Sequence, residues 1–149
     1  MSAMEFRPYA GADLAACLGL FDGNCPRFFA PNERADFINF LADEPPGYEV
    51  CLLGGRIVGG YGVTREEPGL TLRWILFASD MQGRGLGRAV MDRVRATVPA
   101  RGGGPLHIAT SQHSAAFFAK FGAVETRRTP DGWGPGMHRV DMILPEAAR

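Results

Sequence analysis

The sequence predicts a single mixed α/β domain with the element order βααβββαβαββ. Three observations carry this. Apolar residues fall at helical spacing over most of the first 41 residues, then the rhythm changes at residue 48 to short aliphatic and aromatic runs broken by tight turns. A strand that becomes continuously apolar at its end (Trp74, Ile75, Leu76, Phe77, Ala78) runs into a glycine-rich segment. A new amphipathic helix follows, so a strand-loop-helix unit sits in mid-chain.

Residues 4–8 form a first edge strand that Pro8 closes. Leu14, Cys17, Leu18 and Phe21 are spaced for a helix over residues 11–21. A second helical region spans residues 28–41, with Asn32 placed to cap its main part and Phe37, Ile38 and Leu41 on one apolar face. Residues 48–53, 56–64 and 70–78 read as three strands, joined by a Gly54-Gly55 hairpin turn and by the turn at Glu66-Glu67-Pro68-Gly69. The continuous apolar end of the third suggests a central strand buried on both faces. Leu86, Val90, Val94 and Val98 give the next helix its stripe. A short strand at 106–110, a short helix at 115–121 ended by Gly122, and two strands at 123–129 and 137–144 around Pro130-Asp131-Gly132 complete the chain.

Composition bounds the function. The 149 residues are 46% apolar, enough for one full core without metals or disulfides. Sixteen basic and sixteen acidic residues cancel, which argues against a nucleic-acid partner. The three cysteines (Cys17, Cys25, Cys51) are odd in number and lack C-x-x-C spacing, so neither a disulfide framework nor a metal site is indicated. No apolar run approaches the roughly 20 residues that span a bilayer, and the first residues lack the pattern of a signal peptide. The expectation is a cytoplasmic protein with no membrane partner.

The segment Gln82-Gly83-Arg84-Gly85-Leu86-Gly87-Arg88 carries the chemistry. Glycines let successive amides converge, and the first amides of a helix have no internal partner and sit at the positive end of its dipole. Together they make an anion site suited to phosphate. The dinucleotide fingerprint G-x-G-x-x-G fails, because its last position would be Arg88 or Val90. The P-loop also fails, since no Gly-Lys-Ser/Thr occurs.

This run resembles the acyl-CoA pyrophosphate signature of the GNAT superfamily, Q/R-x-x-G-x-G/A. A second stretch, from Ser111 to Ala123, is similar to that family's next motif, and residues 134–142 look like its last strand. The resemblance covers nearly the whole chain, from about residue 4 to residue 144. It implies a GNAT-like domain over residues 1–149 whose sheet splays between strands four and five. It also implies transfer of an acetyl group from acetyl-CoA to a primary amine by direct attack. Acetyl-CoA is then a co-substrate, no metal is needed, and a homodimer is a family-level expectation.

By the same resemblance the pyrophosphate lies on the amides of residues 83–88, with Gln82, Arg84 and Arg88 beside it. The pantetheine arm lies along Leu76 and Phe77, and a backbone N–H near Phe77 polarises the thioester carbonyl. Ser111, Phe117, Phe118 and Lys120 of the second motif join the cofactor's side. Asn24, Phe28 and Phe29, with Arg27, Asn32 and Glu33 nearby, correspond to the acceptor region, though an ordinary aromatic-packed helix-loop-helix would show the same residues. One departure matters. Where many members place a proton-donating tyrosine, this chain has Phe118, which leaves room for a domain that binds acyl-CoA without turnover. Of Phe117 and Phe118, neighbours on one helix, one is expected in the core and one towards the cofactor. His107, beside the slot, is the candidate base; it, His113 and His138 are each equally readable as structural or surface histidines.

Overall fold

The computed structural model describes residues 4–81 and 85–146. Its strands are β1 (Met4–Pro8), β2 (Tyr48–Leu53), β3 (Arg56–Arg65), β4 (Leu70–Phe77), β5 (Leu106–Ser111), β6 (Val124–Gly134) and β7 (Met137–Leu144). Helices α1 (Leu14–Gly23) and α2 (Glu33–Ala42) lie between β1 and β2 in the chain. Helix α3 (Leu86–Ala100) joins β4 to β5, and α4 (Ala115–Ala119) joins β5 to β6. The strands form one mixed sheet in the order β1-β2-β3-β4-β5-β7-β6. Every neighbouring pair is antiparallel except β4 and β5, which run parallel. The fold class and element order are those the sequence predicts.

The core forms on the middle of this sheet. Strand β3 is buried without a break from Val58 to Val63, and α1 and α3 both pack on it, so both of its faces are covered. The stripe of α3 (Leu86, Val90, Val94 and Val98) is wholly buried and is joined by Met91. Each such side chain contributes about 1.5–3 kcal/mol. Gly54 and Gly55 both have positive φ, +59° and +81°, as a two-residue hairpin loop requires.

Three boundaries differ from the sequence reading. The helix expected over residues 28–41 begins only at Glu33. Asn32 does not cap it; its Nδ2 donates instead to the Trp133 carbonyl at 2.7 Å. Helix α4 ends at Ala119, short of Phe121. Strand β6 continues through the expected loop to Gly134. Thr129 pairs with Arg139 and Gly134 with Met137, so residues 130–133 bulge out opposite His138 alone. Asp131, at φ +54°, fixes that bulge: its N–H donates to His138 Nδ1 at 2.9 Å, and its Oδ1 accepts the Gly136 N–H at 2.7 Å.

Strand β4 is bent by a second bulge. Gly60 pairs with Leu76 and Gly62 with Arg73, so Tyr61 faces both Trp74 and Ile75. Trp74 has φ +44°, a conformation that strains a bulky side chain by about 1–3 kcal/mol. Tyr48 holds it there. Its ring crosses β3 where Gly60 and Gly62 leave room, and its hydroxyl donates to the Trp74 carbonyl at 2.7 Å. A Cβ on either glycine would stand 2.8 Å from the Tyr48 side chain. The bulge bends β4 away from β5. Their ladder contains Leu70–Leu106, Thr71–His107 and Leu72–Ile108, and among the described residues it stops there. The splay predicted between the fourth and fifth strands is therefore present, and it begins one residue before the bulge.

Candidate active site

Where β4 and β5 separate, a cleft of about 640 Å³ opens. One wall is Trp74 to Phe77 and the other is Ile108 to Ser111. Gly85, Leu86 and Gly87 at the start of α3, with Phe117 and Phe118 of α4, form one end. Asn24, Phe28, Phe29 and Glu33, with Trp133 and Arg139, form the other.

The first end is built from backbone. Gly85 stands at φ +75° immediately before α3, and a Cβ there would meet nothing within 4 Å. The first amide that bonds back into the helix is that of Ala89, which donates to the Gly85 carbonyl at 3.1 Å. The amides of Leu86, Gly87 and Arg88 precede it, in the first turn of α3, and none of them donates to a described residue. Gly87 has a packing reason: a Cβ there would stand 2.6 Å from Phe117 Cε1. Gln82, Gly83 and Arg84 lie outside the described residues. The Arg88 and Lys120 side chains are exposed and do not line the cleft. Ser111 is buried in the cleft wall, and its Oγ accepts the His113 N–H at 3.2 Å.

The end of β4 offers one backbone donor. The Leu76 carbonyl turns towards β3, 3.1 Å from where a Gly59 Cβ would stand. The Ala78 N–H turns the same way and donates to the Val58 carbonyl at 2.8 Å. A trans peptide sets its N–H opposite its carbonyl. The N–H and carbonyl of Phe77 therefore both face away from β3, into the cleft. The carbonyl is occupied, because Asn24 Nδ2 donates to it at 2.7 Å and also to the Leu20 carbonyl at 2.7 Å. That leaves the Phe77 N–H.

Asn24 lines the cleft as expected of an acceptor-region residue, and its amide nitrogen has a structural task besides. Its backbone carbonyl also accepts the N–H groups of Phe28 (2.8 Å) and Phe29 (3.3 Å). One residue ties the 24–33 loop to the end of β4. Phe28 and Phe29 do line the cleft, and Phe29 stacks on Trp74 with ring centroids 6.0 Å apart. Phe117 faces the cleft and meets Phe77 edge-on at 5.9 Å, while Phe118 is 2% exposed. Both rings border the cleft, Phe117 partly exposed to it and Phe118 almost wholly buried.

His107 sits elsewhere. It pairs with Thr71 in the closed part of the β4–β5 ladder, before the splay, and does not line the cleft. His113 is exposed at the rim, and His138 is held in the β6–β7 bulge. No tyrosine lines the cleft among the described residues.

The sequence reading missed Trp74, Trp133 and Arg139 as cleft residues and gave Glu33 no chemical role. Trp133 is fixed by its Nε1–H, which donates to the Thr110 carbonyl at 2.8 Å. Glu33 is only 5% exposed. Burial pushes its carboxyl up to about 7, the Ala30 N–H it accepts at 2.7 Å opposes this, and the charge of Asp36 adds to the rise. A signal was available: Glu33, Phe37 and Leu41 are the buried residues of α2, spaced four apart, so the carboxylate heads the apolar stripe.

Among the described residues no three His, Cys, Asp or Glu side chains group as a metal site. No described helix is long and apolar enough to cross a membrane.

Comparison with known proteins agrees with this geometry. Residues 16–123 match the family model described as the acetyltransferase (GNAT) family. No curated protein matches the sequence. Among solved structures, the chain is similar to Ard1 from Thermoplasma volcanium, with a TM-score of 0.81 and 14% identity over 98% of this chain and 99% of that one. It is also similar to the ribosomal-protein-S18-alanine N-acetyltransferase from Escherichia coli (TM-score 0.77, 17% identity, 99% and 96% covered). A third is yncA from Salmonella typhimurium, solved with its cofactor acetyl-CoA (TM-score 0.76, 18% identity, 99% and 96% covered). At these identities the likeness is one of fold.

Proposed function

Since the chain belongs to the acetyltransferase (GNAT) family, we propose that it transfers an acetyl group from acetyl-CoA to a primary amine of a small molecule or peptide by direct attack. The observation that carries this is the cleft opened by the β4 bulge, with the Phe77 N–H turned into it and the start of α3 at its end.

The residues fit the donor. The amides of Leu86, Gly87 and Arg88 suit a pyrophosphate at the positive end of α3. Beyond Leu72, where the β4–β5 ladder ends, the free edge of β4 lies open to an amide-bearing arm, with the Phe77 N–H as its donor. The acetyl thioester supplies the electrophile. The Phe77 N–H supplies a fixed dipole where negative charge develops on the carbonyl oxygen. Asn24 holds that dipole in place by binding the Phe77 carbonyl.

No enzyme nucleophile is called for. The described lining of the cleft contains no cysteine, and none of its serine or threonine hydroxyls bonds to a histidine ring. An amine held beside the thioester reacts by proximity and orientation. It must first be neutral, whereas alkylamines are mostly protonated at neutral pH. The departing thiol has a pKa of about 8.5, so it can leave as thiolate without a tyrosine acid. Phe118, which motivated a non-catalytic acyl-CoA sensor, is almost wholly buried at the end of the cleft and leaves that position apolar.

Calorimetric titration with CoA, ATP and NAD tests the donor site, with CoA expected to bind and the others not. Gly85→Val should abolish CoA binding, because a β-branched residue does not adopt φ +75° and its side chain would stand where the ligand approaches. Unchanged affinity in the variant refutes the pyrophosphate placement. Thiol release from acetyl-CoA against a panel of amines tests turnover, and tight CoA binding with no release for any amine would favour the sensor.

A further inference from the structure

We propose that Glu33 receives the acceptor: its free carboxylate oxygen holds a cationic primary amine carried on an aromatic or apolar body, and takes the proton the amine must lose. This rests on the acetyltransferase reading above and names the residue and substrate class for its acceptor half.

The geometry is specific. Glu33 lines the cleft yet is almost wholly buried. Its Oε2 accepts the Ala30 N–H at 2.7 Å. Its Oε1 has no protein partner among the described residues, and it is not sealed from solvent, since no buried side-chain oxygen there lacks a bond. Burying a carboxylate without a cation is costly unless a proton or a positive ligand joins it.

The titratable and charged groups around it supply no cation. On its own helix lie Asp36 and Arg34, the latter paired with Asp22 at 2.8 Å; on the preceding loop lie Cys25 and Arg27, the latter over the Phe28 ring. Across the cleft, Arg73 of β4 is paired with Glu66 at 2.8 Å, and Arg139 of β7 with Asp141 at 3.0 Å. His113 stands exposed at the rim. Of these, only Asp36 acts on the Glu33 carboxyl, and it is an anion. The walls beside Glu33 are Phe28, Phe29, Trp74 and Trp133. Aromatic faces attract a cation; Arg27 already lies over Phe28 and Arg139 over Trp133, so Phe29 and Trp74 are the rings left to a cationic acceptor. A group that titrates near neutral pH in such a cleft is suited to general base work.

The step balances. The ammonium gives one proton to Glu33 Oε1, directly or through a water, leaving a neutral amine and a carboxylic acid. The amine nitrogen bonds to the acetyl carbon and the carbon–sulfur bond breaks. The second N–H proton leaves with the thiolate sulfur, and Glu33 returns its proton to water.

The test uses the full chain with acetyl-CoA and two amines, 2-phenylethylamine and glutamate. Wild type should prefer 2-phenylethylamine at least tenfold in kcat/KM, with a rising limb near pH 7. Glu33→Gln keeps an acceptor for the Ala30 N–H. It should lower kcat about 100-fold or more, remove that limb, and leave CoA affinity unchanged by calorimetry. A preference for glutamate, or a variant that keeps both rate and limb, overturns the assignment while leaving acetyl transfer standing. Failure of wild type to bind CoA overturns the donor-site reading instead. A second measurement needs neither turnover nor a folded variant. In wild type labelled with 13C at the glutamate carboxyls, one resonance should titrate near 7 and move when 2-phenylethylamine is added. If every glutamate titrates below pH 5, or none responds to the amine, the proposal fails.

Discussion

The two halves of the cleft are made of different material. The half we propose for the donor is backbone: the start of α3 from Leu86 to Arg88, the N–H of Phe77, and Gly85 at positive φ. The acceptor half is side chain: a carboxylate from α2, aromatic rings from the 24–33 loop, from β4 and from β6. A pyrophosphate and an amide-rich arm have fixed shapes that backbone can meet. An amine of particular shape and charge needs side chains, which can change without rebuilding the fold. The halves meet at the Trp74 bulge, whose carbonyl is held by Tyr48, and at Asn24, which bonds both the Phe77 carbonyl and the acceptor loop.

Damage at that meeting point should cost both halves together. In Gly60→Val the new side chain would press on Tyr48, whose hydroxyl is 2.8 Å from the Cβ position and whose ring is wholly buried and cannot withdraw. We expect a loss of about 3 kcal/mol in urea unfolding, with CoA affinity and amine turnover falling together. An unchanged urea midpoint would show that the bulge does not depend on Tyr48. Asn24→Ala should be milder in stability and sharper in function. Two carbonyls lose a buried donor, at about 2 kcal/mol. The Phe77 peptide is then free to turn, so kcat should fall roughly tenfold to hundredfold. A variant with normal kcat would separate Asn24 from the placement of the Phe77 N–H.

The same division explains what could be read from sequence. Glycines at fixed spacing are visible locally, and Gly85 and Gly87 do stand at one end of the cleft. The order of elements along the chain and the apolar stripe of α3 were legible because periodicity and turns are local too. The splay was legible only through family resemblance. Its cause, a hydroxyl 26 residues away from the bulge, is tertiary. Even so, Gly59, Gly60 and Gly62 inside one strand signal that something approaches closely. Side-chain recognition leaves no such spacing. Trp133 lay in an expected loop because residues 130–133 break the β6 ladder. His107 was placed on the correct strand but at the wrong end of the opening, since nothing local says where the β4–β5 pairing stops. That Asn24, a cleft residue, also ties β4 to α1 through two carbonyls has no local signal either.

The smallest effect is also the one that isolates the acceptor half. Burial raises the Glu33 carboxyl to about 7 in the folded chain, above its unfolded value of about 4.3. The folded state therefore holds this proton more tightly than the unfolded state does. Its contribution is most favourable below the unfolded value and is lost as pH rises towards 7. Glu33→Gln removes the titration and keeps the shape. Relative to the variant, wild type should lose on the order of 1 kcal/mol between pH 5 and pH 8, because the opening to the cleft lets water moderate the penalty. Chemical denaturation of both proteins across that range measures the difference. The variant should be the more stable of the two at pH 8 even though it is the poorer enzyme, which is what a carboxylate kept for chemistry and not for folding requires. A stability difference that stays flat with pH would mean that Glu33 is ionised at little cost, and that the acceptor half is more open to water than its aromatic walls imply.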